Sequence, residues 1–197
     1  MNTLPKNPFP PGFAFFLDNP LRRFLIDREK FLRGMGVKEG DRVLEVGCGP
    51  GFFTEVLSLI VGERGKVYAQ DIEAAMLKRV EKKLDSLLYK NVLLLHCNST
   101  AIELSDGSCD VVLCANVLEE IYKEGELEGT VTEIDRVLKR GGTLVIKEHR
   151  FGGTEPIIKE TEKLFVSSGY DKVFEVKTLL SYHSKYASVS IRSGLLT

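Results

Sequence analysis

The chain has 197 residues, 43% of them hydrophobic and 28% charged, with a formal net charge of −1, which suits one well-buried core and excludes both a disordered chain and two ordinary domains. A near-neutral balance without a Lys/Arg stripe gives no global attraction to a polyanion, so nucleic acid and anionic membrane are disfavoured partners. No run is long enough to cross a bilayer and the proline-broken N-terminus carries no continuous apolar leader, which reads as a cytoplasmic protein.

In chain order, Asn19 and Pro20 make an N-cap and a first-turn proline. Leu21, Phe24, Leu25, Arg28, Phe31, Leu32 and Met35 then trace one helical face until Gly34 and Gly36 stop it. Arg42 to Val46 is a short apolar strand running into glycines, and Phe52 to Val61 continues as a helix closed by Gly62. The strand Lys66 to Gln70 leads through Asp71 into a helix with Met76, Leu77, Val80, Leu84, Leu87 and Leu88 at helical spacing. Strands follow at Val92 to His96 and Cys109 to Ala115; Leu127, Val131, Ile134 and Leu138 mark a helix, and Gly141-Gly142 turns it into the strand Thr143 to Lys147. Thr154 caps a further helix with Pro156 in its first turn, and Lys172 to Lys177 and Tyr186 to Arg192 read as a closing antiparallel hairpin. The alternation predicts an α/β fold: a Rossmann-like, mostly parallel seven-stranded sheet with helices on both faces and a C-terminal antiparallel hairpin, as one domain over residues 1–197. Cys48, Cys97, Cys109 and Cys114 lack paired metal-ligand spacing, so buried reduced thiols are expected and no metal site.

The sharpest local feature is Val43-Leu44-Glu45-Val46-Gly47-Cys48-Gly49-Pro50-Gly51. Glycines after a first strand let backbone approach a ligand, and the following helix offers unpaired N–H groups. Such a loop also serves plain strand-to-helix packing. A dinucleotide fingerprint would need G-x-G-x-x-G, but Phe52 holds the third glycine position and Gly51 stands one residue early.

An acidic residue followed by G-x-G-x-G resembles the first motif of the class I S-adenosylmethionine (SAM)-dependent methyltransferases. The resemblance continues in order along the chain, through Asp71 after the second strand, Asn98 to Asp110 ending Asp106-Gly107-Ser108-Cys109-Asp110, and Val137-Leu138-Lys139-Arg140-Gly141-Gly142 before the fifth strand. It implies SAM as cofactor and a binding set of Glu45, Gly47, Gly49, Gly51, Asp71, Ile72, Asn98, Ser99 and Asn116. Asp71 would accept from the ribose hydroxyls, Ile72 flank the adenine, Asn98 contact its amino group and Glu45 hold the loop and the methionine amine. Each has a plainer reading: Asp71 as a helix N-cap, Ile72 as an anchor of its helix, Asn98 as a turn residue and Glu45 as a strand-to-loop brace. Asn98, Cys109 and Arg140 depart from the family's aspartate, phenylalanine and proline. Gly49 is expected to tolerate no bulky side chain.

The implied activity is methyl transfer from SAM to a small-molecule acceptor that the sequence does not identify. Because a sulfonium methyl is already activated, alignment and exclusion of water are the main tasks, and a base is needed only for a protic acceptor. Asn116, Glu119, Glu120 and Tyr122 follow the fourth strand and Glu148, His149 and Arg150 the fifth, at the carboxyl edge of the sheet. Asn116 and His149 are the catalytic candidates, with a surface histidine as the plainer reading; His96 and His183 fall at a strand end and in the terminal loop. A non-catalytic SAM-binding module and an NAD-type oxidoreductase are the alternatives, the second opposed by the glycine spacing. Residues 1–36 form an N-terminal arm and helix. Its Phe-Pro-rich start, Pro8 to Leu17, is a candidate lid over the cofactor, or else a static arm or dimer contact.

Overall fold

The computed structural model describes residues 27–85, 90–149, 154–178 and 181–188. The candidate lid, the Asn19-Pro20 cap, Leu87, Leu88, Arg150 and the end of the last predicted strand lie outside them. Helix α1 spans Arg28–Gly34, and its cap is Asp27, whose carboxylate accepts from Lys30 N at 2.9 Å. Strand β1 (Arg42–Val46) leads to α2 (Thr54–Val61), β2 (Lys66–Asp71) to α3 (Ala74–Leu84), and β3 (Val92–His96) to β4 (Cys109–Ala115). Helices α4 (Leu118–Lys123) and α5 (Leu127–Val137) precede β5 (Leu138–His149); α6 (Thr154–Ser167), β6 (Tyr170–Lys177) and β7 (Ser181–Ser188) complete the described chain.

The strands form one seven-stranded sheet in the order β3-β2-β1-β4-β5-β7-β6. Strands β1 to β5 are parallel, whereas β7 runs antiparallel between β5 and β6. Side chains alternate across the sheet with period two, and this sorts the two layers. Val43, Val67, Val111, Leu113 and Val145 face Leu32, Leu57 and Ile60 of α1 and α2. Leu44, Val112, Cys114, Leu144 and Ile146 face Ile121, Val131, Ile134 and Phe165 of α4 to α6. Chain order reverses between β1 and β4, so the carboxyl ends of these strands open a crevice between the layers.

Several boundaries differ from the sequence expectation. Helix α2 starts at Thr54, not Phe52, because the glycine turn extends through Phe53. Leu138 is extended (φ −77°, ψ 133°) and begins β5 instead of ending a helix. Gly141, at φ +74°, lies where β5 advances from Leu138 to Thr143 while β4 advances only from Cys109 to Val111. The Gly-Gly pair is thus a bulge within β5. Strand β7 begins at Ser181, five residues before Tyr186 and its predicted start. Its polar Ser181-Tyr182-His183-Ser184 run hides an alternation in which Tyr182, Ser184 and Tyr186 are buried. His183 therefore belongs to a strand, its ring 5.0 Å from Phe31, and not to a loop. Thr154 opens α6, but its hydroxyl donates to His149 O at 2.6 Å instead of capping a helix N–H.

All four cysteines are free and buried. Among the described residues, no helix is long and apolar enough to cross a membrane.

Candidate functional site

The loop after β1 is positioned by the next strands. Gly47 N donates to Gln70 Oε1 at 3.1 Å and Cys48 N to Gln70 O at 2.8 Å, while Gln70 Nε2 donates to Cys97 O at 2.6 Å. One buried amide thus ties the ends of β1, β2 and β3 together. Asp71 adds a second tie: Oδ2 accepts from Gly49 N at 2.7 Å and Oδ1 from Glu73 N at 2.8 Å. Gly47 and Gly49 have φ of +63° and +53°, the left-handed region where glycine is favoured. A Cβ on Gly47 would lie 2.2 Å from Val117 Cγ2, whereas one on Gly49 would meet nothing within 4 Å.

Above this loop the crevice widens into a cavity of about 370 Å³. Gly47, Gly49, Asp71, Ile72, Ser99 and Asn116 line it, as does His149. Asn116 is its most strained residue: φ is +57°, its N–H donates to Lys147 O at 2.7 Å, and its side-chain Nδ2 and Oδ1 are buried without a partner. A left-handed non-glycine residue holding an unsatisfied amide at a cavity wall is a mark of a ligand position. Beside it, Glu148 Oε1 accepts from Val117 N at 2.9 Å and Leu118 N at 3.1 Å, fixing the turn that carries Asn116. Burial pushes the Glu148 carboxyl up to about 7 against the pull of those two N–H groups. Burial also raises Asp71, with the Glu73 and Gly49 N–H groups opposing. Cys48, though in the loop, stays a thiol: burial and then the Glu45 and Asp71 charges push it well above its ordinary value.

Three residues of the expected binding set are not on the cavity wall. Gly51 packs behind the loop, where a Cβ would approach Val80 at 3.2 Å. Asn98 is engaged in a turn: Oδ1 accepts from Thr100 N and Thr100 Oγ1, each at 2.8 Å, and Nδ2 donates to Glu126 Oε1 at 2.7 Å. Glu45 lies beneath the loop, 2% exposed, accepting from Thr54 Oγ1 at 2.6 Å. Of the other candidates, His96 sits beside the Ile72 carbonyl at 3.0 Å, and Glu119 and Glu120, placed at the carboxyl edge of the sheet, pair with Lys123 and also line the cavity. The sequence did not single out Gln70, Glu73, Met76, Val117, Ile121 and Glu126 for the wall. Gln70 carried one signal, a polar residue inside an apolar strand.

The buried Glu45 gives a pH prediction. Desolvation raises its carboxyl from 4.5 to about 8, with the Thr54 hydroxyl opposing. The folded state therefore holds a proton that the unfolded chain has released, so this stability is fully present below about 4.5 and is lost as pH rises toward 8. Urea denaturation without cofactor should show the wild type losing more stability than Glu45→Gln between about pH 5 and 8. Parallel losses in the two proteins would show that Glu45 stays ionised.

The family model of the methyltransferase domain matches residues 37–185. A SAM-dependent methyltransferase from Aquifex aeolicus, solved as a crystal structure, is 31% identical, with 92% of this chain covering 100% of that one at a TM-score of 0.81. A demethylmenaquinone methyltransferase of Geobacillus stearothermophilus is 35% identical over 127 residues, 64% of this chain and 53% of that protein. A ubiquinone/menaquinone biosynthesis C-methyltransferase, UbiE, of Escherichia fergusonii is 30% identical over 183 residues, 91% of this chain and 68% of that protein. The chain spans about half the length of the Geobacillus relative.

Proposed function

Since this chain belongs to the methyltransferase domain family and to its SAM-dependent members, we propose that it moves the methyl group of SAM, in line and directly, to a small-molecule acceptor. The observation that carries the reading is the cavity where Gly47, Gly49 and Asp71 meet the unsatisfied Asn116 amide at the switch in strand order. The residues suit the cofactor: Asp71 retains lone pairs for a vicinal diol after accepting its two N–H groups. Gly49 leaves open the space a side chain would fill. When bound, SAM supplies a methyl already activated on a sulfonium.

The chain's own part is to position and to exclude water. Asn116 offers a donor and an acceptor at the wall, held by Glu148 through the Val117 and Leu118 N–H groups. Should the acceptor lose a proton, Glu148 lies on the same wall with a carboxyl near neutrality. Neither Lys nor Arg is among the described wall residues, which include several carboxylates. A neutral or cationic acceptor therefore fits better than a phosphate or carboxylate. The named relatives make a demethylated quinol ring the first acceptor to try. A cytoplasmic location belongs to the same reading, supported by four free buried thiols of the kind a reducing compartment keeps.

Labelled SAM with demethylmenaquinol, and calorimetry with S-adenosylhomocysteine, test the proposal; a wild-type protein that fails to bind S-adenosylhomocysteine would end it. His149 lines the cavity but is exposed. His149→Ala should keep measurable methyl transfer. Abolished turnover with cofactor and acceptor affinity intact would make His149 an acid/base group.

A further inference from the structure

We infer that Glu126, together with the main-chain N–H of Ser99, reads the hydrogen-bonding edge of the cofactor's adenine, a task that the side chain of Asn98 does not perform. This rests on the SAM site proposed above. Ile72 and Met76 from the β2–α3 side and Val117 and Ile121 from the α4 side line the same cavity, and apolar side chains from two elements suit the two faces of a flat ring. Ser99 and Glu126 line that cavity as well.

Asn98 has little left to offer a ligand. Both contacts on its Oδ1 come from Thr100, and its Nδ2 donates to Glu126 Oε1 at 2.7 Å. The effect of that last bond is to hold the Glu126 carboxylate from behind, while its Oε2 accepts from no described residue. Ser99 is fixed alongside: its hydroxyl and that of Thr130, in α5, are 2.7 Å apart, and its N–H donates to no described residue. Together Glu126 and Ser99 thus offer one unused acceptor, a carboxylate oxygen, and one unused donor, a main-chain N–H. Adenine presents the complement, an amino donor beside the ring acceptor N1. Hypoxanthine reverses both, setting a carbonyl against the carboxylate and an N–H against an N–H. A carboxylate can only accept, so it discriminates between the two bases in a way an asparagine amide, which can turn over, does not.

The test compares S-adenosylhomocysteine with S-inosylhomocysteine by calorimetry on the full chain. Wild type should prefer the adenosyl compound roughly 10- to 100-fold, as expected where a charged acceptor is matched or mismatched. Glu126→Ala should bring the two affinities to within about threefold, and Glu126→Gln should do the same, because its amide can turn to present either a donor or an acceptor. Asn98→Ala should keep most of the preference. A purely structural role for Glu126 would weaken both ligands alike and leave the ratio unchanged, which would overturn the inference. Loss of the preference in Asn98→Ala, with its retention in Glu126→Ala, would return the adenine to Asn98. If wild type binds neither compound, the SAM site itself is wrong and the inference falls with it.

Discussion

Gly47→Ala is expected to cost about 2–6 kcal/mol of folding stability, the sum of a left-handed non-glycine residue and an overpacked contact at ~1–3 kcal/mol each. The contact is with Val117, whose Cγ2 would lie 2.2 Å from the new Cβ. Val117 cannot simply retreat, because its N–H is held by Glu148 and it leads directly into α4. Strain relieved by moving Val117 would also move Asn116, so binding of S-adenosylhomocysteine should be lost in whatever fraction remains folded. Gly49→Ala is the control: its Cβ meets nothing within 4 Å, leaving only the same backbone penalty of about 1–3 kcal/mol. Urea denaturation of the two variants should rank Gly47→Ala well below Gly49→Ala, and equal midpoints would mean that the β1 loop is not pressed against the start of α4.

Asp71→Ala has the second large effect, and it acts on two quantities. Loss of a charged acceptor for the ribose hydroxyls should weaken S-adenosylhomocysteine by ~1.5–3 kcal/mol, roughly 10- to 100-fold. The structure adds a stability cost, since the Gly49 and Glu73 N–H groups both lose their acceptor. At about 1–3 kcal/mol per unsatisfied buried group, less what is recovered by no longer burying a carboxylate, a net loss of about 1–3 kcal/mol is expected. Asp71→Asn, which keeps one acceptor oxygen, should fall between the two. Calorimetry showing unchanged affinity in a folded Asp71→Ala protein would remove Asp71 from the site.

How far the site could be read from the chain depended on whether a residue works through its backbone or its side chain. Gly47 and Gly49 were legible because a G-x-G after an apolar strand demands close backbone approach, and both line the cavity. Gly51 stands in the same motif yet packs against Val80, a contact no local pattern encodes. Glu45 and Asn98 show the same limit. Each sits at a motif position, but Thr54 in one case and Thr100 with Glu126 in the other take up the side chain. Glu126 was invisible because it is 28 residues from Asn98 in sequence and reaches the wall only when the start of α5 meets the turn after β3.

The sequence by itself determined the order of elements, the parallel run of β1 to β5, the closing hairpin and the family of the domain. Those follow from short-range features: the two periods of apolar residues, and glycines where a turn needs them. Tertiary structure decided that β7 lies inside β6, that the polar Ser181-Tyr182-His183-Ser184 run is strand, and that Leu138 leaves its helix to pair with Cys109. It also decided which acids reach the cavity. Side chains of identical type, such as Glu45 and Glu126, part company according to where the fold places them and which donors are already there. Those donors come from segments distant in the chain, so only the packed fold could assign them.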